Sequence, residues 1–209
     1  VFAAPGTSDE IALDAHDGRV MQPAELPPGH SDMVYSDDGN RAIVRARSNP
    51  SLRFPDRFQF HQVDGWQPVG PWVEDTSSMW LFAPDGGWLL RTRDFVRFEA
   101  VDFGTLASRW TLELPEGQMA RAWRFAADGN TLALGGLDGS VLLVDVANGR
   151  TTSLPSAPVD TVRWLEFDAA GRTLAALSET GTVVAWDLAT RRPRSAPILA
   201  DEVIELGRL

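Results

Sequence analysis

The chain has 209 residues and a formal net charge of −10, with no cysteine and no lysine, so all 19 basic residues are arginine. This excludes disulfides, thiolate nucleophiles, cysteine zinc sites, a phosphate-loop lysine and a Schiff-base lysine. It also speaks against a general nucleic-acid binder, which needs a basic face, and no apolar run reaches the roughly 18 residues of a membrane helix.

The predicted elements form units that recur about every 42 residues. The first, residues 1–27, is partial: a turn at Phe2–Gly6, a strand at Ile11–Leu13, a hairpin at Asp17-Gly18, and no opening strand. The second, 30–68, carries Tyr35 to Gly39, Ala42-Ile43-Val44 and Val63-Asp64, with an insert from Ser48 to Asp56. The third, 74–115, carries Trp80, Phe82, Asp85-Gly86, Leu89 and Val101-Asp102. The fourth, 118–157, and the fifth, 160–199, align without a gap. Residues 119–150 laid over 161–192 give 12 identities in 32 positions, among them Phe125/Phe167, Gly129/Gly171 and Asp145/Asp187. Residues 201–209 follow, where Asp201 to Leu206 repeats the pattern of Asp160 to Leu165 and reads as a lone first strand.

Each full unit reads as four short strands. The first ends in Phe or Tyr and leads into an Asp-Gly turn, whose Gly tolerates positive φ and whose Asp can bond its own backbone. The second is small and apolar, as in Leu132 to Gly136, and is expected to be covered on both faces. Asp138-Gly139 predicts a two-residue hairpin into a third strand that ends in Asp. Trp80, Trp123 and Trp186 occupy repeat positions and are expected in the core. Trp66, Trp72 and Trp88 fall off the register and read as surface aromatics.

The pattern Phe-x-x-(Asp/Ala)-Gly-x-Thr-Leu-Ala, then Gly-(Ser/Thr)-Val, then Trp186-Asp187, resembles the WD40 repeat, as does Gly29-His30 before the second unit. The match is strongest over 119–192. The resemblance implies an all-β fold, a WD40-like β-propeller of four-stranded antiparallel blades over residues 1–209. Two arrangements stay open: a ring of about five blades completed by the C-terminal strand, or a piece of a larger ring, since the chain begins at Val1. One third strand ends in Trp-Asp and two end in Val-Asp. The family's Asp–His–Ser/Thr–Trp network is therefore not assembled in any one unit, and stability is expected from packing between blades.

No reactive constellation emerges. His16, His30 and His61 lack metal-site spacing, no G-x-S-x-G elbow occurs, and the aspartates sit at turns without a calcium-loop pattern. No cofactor and no metal are expected. Arg45/Arg47 and Arg91/Arg93 alternate with small residues, so each pair is expected on one strand face. They would either dock an acidic partner or phosphate, or pair internally with Asp and Glu. Phe54 in the insert is a candidate apolar anchor. The resemblance adds the loops entering each first strand as a docking face, which points to His30, Gln118, Arg121, Arg163 and Trp164.

The leading expectation is a non-catalytic protein-interaction scaffold or sensor module of a larger assembly, cytoplasmic, binding protein rather than nucleic acid or membrane. The alternative is a propeller enzyme of lactonase or hydrolase type with carboxylates at a central channel. A third reading has another chain or segment completing the ring.

Overall fold

The computed structural model describes residues 12–13, 20–21, 31–36, 38–46, 56–77, 79–155, 160–196 and 198–199. Most of the first unit, His30, Arg47, residues 48–55 of the insert with Phe54, and residues 201–209 lie outside them. Every described strand pairs antiparallel, mostly with the next in the chain, because short apolar runs alternate with tight Asp- and Gly-containing turns. Sheet A is the hairpin of β1 (Ala12–Leu13) and β2 (Val20–Met21). Sheet B follows as β3 (Ser31–Tyr35), β4 (Arg41–Ala46), β5 (Asp56–Gln62) and β6 (Gln67–Asp75). Sheet C is β7 (Met79–Phe82), β8 (Trp88–Thr92), β9 (Arg97–Asp102) and β10 (Ser108–Glu113). Sheet D is β11 (Ala120–Phe125), β12 (Thr131–Gly136), β13 (Val141–Asp145) and β14 (Thr151–Ser153). Sheet E is β15 (Val162–Phe167), β16 (Thr173–Ser178), β17 (Thr182–Asp187) and β18 (Arg192–Pro193), with β19 (Ile198–Leu199) also paired to β17. Sheet B reaches Asp75, past the expected end of the second unit at 68. A single 3-10 turn at Asp64–Trp66, with Gly65 at φ +68°, lets β6 run on as a long outer strand.

The four complete sheets repeat one turn. Its N–H bonds recur as Gly39 to Ser36 O, Gly86 to Ala83 O, Gly129 to Ala126 O and Gly171 to Asp168 O, each glycine at positive φ between 63° and 70°. Asp38, Asp85 and Asp128 each accept from the N–H two residues on. In sheet E, where Ala170 stands at that place, Asp168 accepts from Arg172 and Thr173 instead. The hairpin at Asp138 differs from expectation. Gly139 N–H reaches Gly136 O, Gly136 N–H reaches Ser140 O, and Gly139 sits at φ +81°. This is a three-residue loop ending in a left-handed glycine, which accommodates the strand twist with one more residue.

No sheet buries its apolar faces alone. Three cores fill the spaces between consecutive sheets. Ile43, Phe58 and Phe60 of sheet B meet Trp80, Phe82, Leu89 and Val101 of sheet C. Leu90, Phe98, Ala100 and Trp110 of sheet C meet Leu132, Leu134, Leu142 and Val144 of sheet D. Ala122, Ala133 and Val141 of sheet D meet Val162, Leu165, Leu174 and Trp186 of sheet E. The second strands are therefore covered on both faces, as β12 shows with five of its six residues buried. Two indole N–H groups stitch successive sheets: Trp110 donates to Val146 O at 2.7 Å and Trp186 to Pro155 O at 3.1 Å. Trp88 is a core residue rather than a surface aromatic. It contacts the rings of Trp110 and Phe125 and is 2% exposed. Trp66 stacks on His61 and Trp72 lies under the guanidinium of Arg57, so both are half-buried rather than presented to a partner. Among the described residues no helix is long and apolar enough to cross a membrane.

The ionisable groups give this fold a pH profile. Backbone N–H bonds hold Asp94, Asp168 and Asp187 below the ordinary aspartate value, and burial holds His61 below the ordinary histidine value. Below about pH 6.5 the unfolded chain takes up a proton that folded His61 resists, so stability falls as pH drops through that range. Below about pH 4 the aspartates add a second loss as their folded pKa values are crossed. Thermal unfolding from pH 8 to 2.5 should show both stages. His61→Phe, which keeps the stack on Trp66, should remove the first, and Asp168→Ala should weaken the second.

Candidate functional site

The first strands of sheets D and E carry the same irregularity 42 residues apart. In β11 the pairing steps from Ala120 with Gly136 to Ala122 with Gly135, and in β15 from Val162 with Ser178 to Trp164 with Leu177. The extra residue in each bulge is an arginine, Arg121 and Arg163, and a bulge re-aims the side chain it carries. Both are exposed, and neither has an ion-pair or hydrogen-bond partner among the described residues. A third bulge, in β10, also carries an arginine, but Arg109 is bonded to the Asp102 carboxylate and lies over Trp88. The two unpaired arginines are thus a property of this place and not of bulges in general.

The loops at this end are bound together. Leu137 N–H donates to Met119 O at 3.0 Å, Thr161 Oγ1 to Leu137 O at 2.9 Å, and Glu179 N–H to Thr161 O at 2.8 Å. Ala120 N–H donates to the carbonyl of Phe95, whose ring stacks on Trp123 while its φ is held at +59°. Each hairpin tip is therefore fixed to the chain entering a first strand. On this fixed frame Met119 is 39% exposed and Leu137 45% exposed, side by side. Gln118 stands next to them with its Oε1 buried and unpartnered. At Asp138, burial pushes the carboxyl up, but bonds from the Ser140 hydroxyl and N–H and from the Gln118 side chain outweigh it and hold the group below its ordinary value. The arrangement offers two aliphatic side chains and two unpaired guanidinium groups. It suits adhesion to a surface with apolar and acidic character and holds no nucleophile–base pair.

The sequence pointed to Arg121, Arg163 and Gln118 but not to Met119 or Leu137. Their signal lies in the repeat. Leu137 occupies the hairpin place held by Asp94 and Glu179, and Met119 the place held by Thr161. Each is apolar where its copies are polar, and that difference sets this hairpin apart from the others.

The other candidates fall elsewhere. Arg91 bonds Asp75 and donates to Glu99 Oε2 at 3.0 and 2.7 Å, with its guanidinium over the Trp80 ring. Arg45 pairs with Asp56 and covers Phe58. Both arginines are paired internally. β8 ends at Thr92, so Arg93 sits in the following hairpin and does not share a strand face with Arg91. The cleft around them, about 820 Å³, is lined by Glu74, Asp75, Asp94, Glu99 and Glu113 as well as Arg91, Arg93 and Arg97, a balance unfavourable to a phosphate. Trp164 lies one residue past its bulge, at the repeat position of Met79 and Ala122, which pack into the cores between sheets. His30 and Phe54 are outside the described residues. No three His, Asp or Glu converge as a metal site among the described residues. No protein-family model matches the chain, and no curated protein matches it in sequence.

Substitution separates the two kinds of arginine. Arg91→Ala leaves the partly buried Asp75 and Glu99 without their shared cation and is expected to cost about 2–3 kcal/mol in urea unfolding. Arg121→Ala and Arg163→Ala should each stay within about 0.5 kcal/mol of the parent. A large loss from either would make it a structural residue.

Proposed function

We propose that the chain is a WD40-like β-propeller module that acts as a non-catalytic interaction scaffold, docking a protein partner on the hairpin end of sheets D and E. In this reading the complete sheets are blades, and the first strands, whose equivalent residues Arg124 and Glu166 meet at 3.1 Å, line a shared axis. The observation that carries the docking assignment is the exposed pair Met119 and Leu137 beside the unpaired Arg121 and Arg163. Rigid loops remove the entropy cost of ordering a binding surface, and arginine and methionine are enriched where proteins meet. The partner surface is acidic with an apolar centre. The enzyme alternative needs carboxylates converging on the axis.

The full chain, immobilised and challenged with lysate of its own source, tests this by quantitative mass spectrometry. A specific partner should be retained by the parent and by an Arg150→Glu/Arg172→Glu control at the opposite end of the sheets. Arg121→Glu/Arg163→Glu should weaken its retention by at least about tenfold. Equal retention by parent and site variant would end the assignment.

A further inference from the structure

The interface between sheets B and C departs from the repeat at one place. The strand register makes Arg91, Leu134 and Ala176 equivalent, each two residues past the partner of Phe82, Phe125 or Phe167. Their third-strand partners are Glu99, Leu142 and Val184. A further side chain, at or just past the end of the preceding outer strand, completes each set. Leu114 is buried with Leu134 and Leu142 between sheets C and D, and Leu154 with Ala176 and Val184 between sheets D and E. Between sheets B and C the set is Asp75, Arg91 and Glu99, two carboxylates on one guanidinium. The cleft of about 820 Å³ lies over these three.

The indole N–H groups follow the same division. Trp110 and Trp186 donate across the C–D and D–E interfaces, to Val146 O and Pro155 O. Trp80, under the Arg91 guanidinium in the B–C core, has its N–H buried with no hydrogen-bond partner. Arg41 Nη1 does cross to Asp85 O, through an exposed bond of 3.3 Å. Desolvating three ionic groups offsets most of what their attraction returns, and a buried unpaired donor is a net loss. Three buried aliphatic side chains at the same place are a net gain.

We propose that the B–C interface is an ionic latch, at which sheet B parts from sheet C while the C–D and D–E interfaces stay closed. Regions of low local stability are those that move, and a set of charges in place of a core makes this seam one of them. Opening bares Phe58, Phe60 and Trp80 and leaves intact the sheets that carry Met119, Leu137, Arg121 and Arg163. The inference rests on the repeat of the sheets and not on the docking assignment, so either can fail without the other.

The chain has no cysteine, so a single introduced thiol reports on one interface at a time. Leu89, Leu132 and Leu174 are equivalent, each 0% exposed, and each lies in a different one of the three cores. In native full-length protein, the thiol of Leu89→Cys should be alkylated at least about tenfold faster than those of Leu132→Cys and Leu174→Cys. Adding Asp75→Asn/Arg91→Leu/Glu99→Leu removes the ions and keeps an acceptor for Ser77 N–H. It should bring the Leu89→Cys rate down to that of the other two, although Arg91→Ala alone destabilises. Equal rates for the three thiols overturn the proposal, as does a folded ion-free variant in which Leu89→Cys reacts as fast as before. If either seam variant does not fold, hydroxyl-radical footprinting of the unaltered chain decides. Trp80 should then be oxidised at least about fivefold faster than Trp110, although the two are 7% and 9% exposed, and equal rates overturn the proposal.

Discussion

The structure depends on burial between sheets. A four-stranded antiparallel sheet of 20 to 30 residues has two apolar faces and too little mass to cover either, so it persists only between neighbours. The side chains reflect this division. In β12 and β13 the alternate residues serve different cores, Ala133 and Val141 facing forward to sheet E while Leu132, Leu142 and Val144 face back to sheet C. A tight point is Gly135, where an added Cβ would stand 2.5 Å from Cγ1 of Val162 and 2.7 Å from its Cβ. The glycine there sets how closely two sheets approach, and the apolar pattern of β15 is chosen to meet it.

Electrostatics plays a secondary and local part. Every basic side chain is an arginine, and many are spent on covering aromatic rings: Arg41 over Phe103, Arg45 over Phe58, Arg57 over Trp72, Arg91 over Trp80 and Arg109 over Trp88. A planar guanidinium can lie on a ring and still bond carboxylates at its edge, which lysine cannot do, and Arg91 does both. Against that background the bulged Arg121 and Arg163 stand out by their place, exposed on first-strand bulges and without an ion pair or hydrogen bond among the described residues. The docking proposal starts from these two because they stand at the end that also carries the exposed Met119 and Leu137.

Much of the fold was legible in the sequence because the repeat encodes it twice, in spacing and in turn chemistry. The Asp-Gly turns, the buried second strands and the core places of Trp80 and Trp186 follow directly from the pattern. What the pattern did not reveal were departures from it. Trp88 opens its second strand at a place that is only half-buried in the other sheets, as Arg41, Thr131 and Thr173, and it is buried here because the Trp110 and Phe125 rings pack on it. The hairpin at Asp138 gains a residue because Gly139 alone takes positive φ. The bulges at Arg121 and Arg163 leave no trace in composition, since an inserted residue shared by two copies preserves their alignment. The apolar loop pair Met119 and Leu137 was visible only as a difference between copies, once the hairpin geometry showed that they meet.

Face-to-face packing of consecutive sheets is tested most directly by a double-mutant cycle on Gly135→Ala and Val162→Ala in the full chain, read by urea unfolding. If sheets D and E pack as described, the added methyl strains the interface and shortening Val162 makes room for it. The pair should then be less destabilised than the sum of the single variants, with a coupling of about 1 kcal/mol or more. Strict additivity would contradict it, since two residues that do not touch across the interface have no reason to compensate.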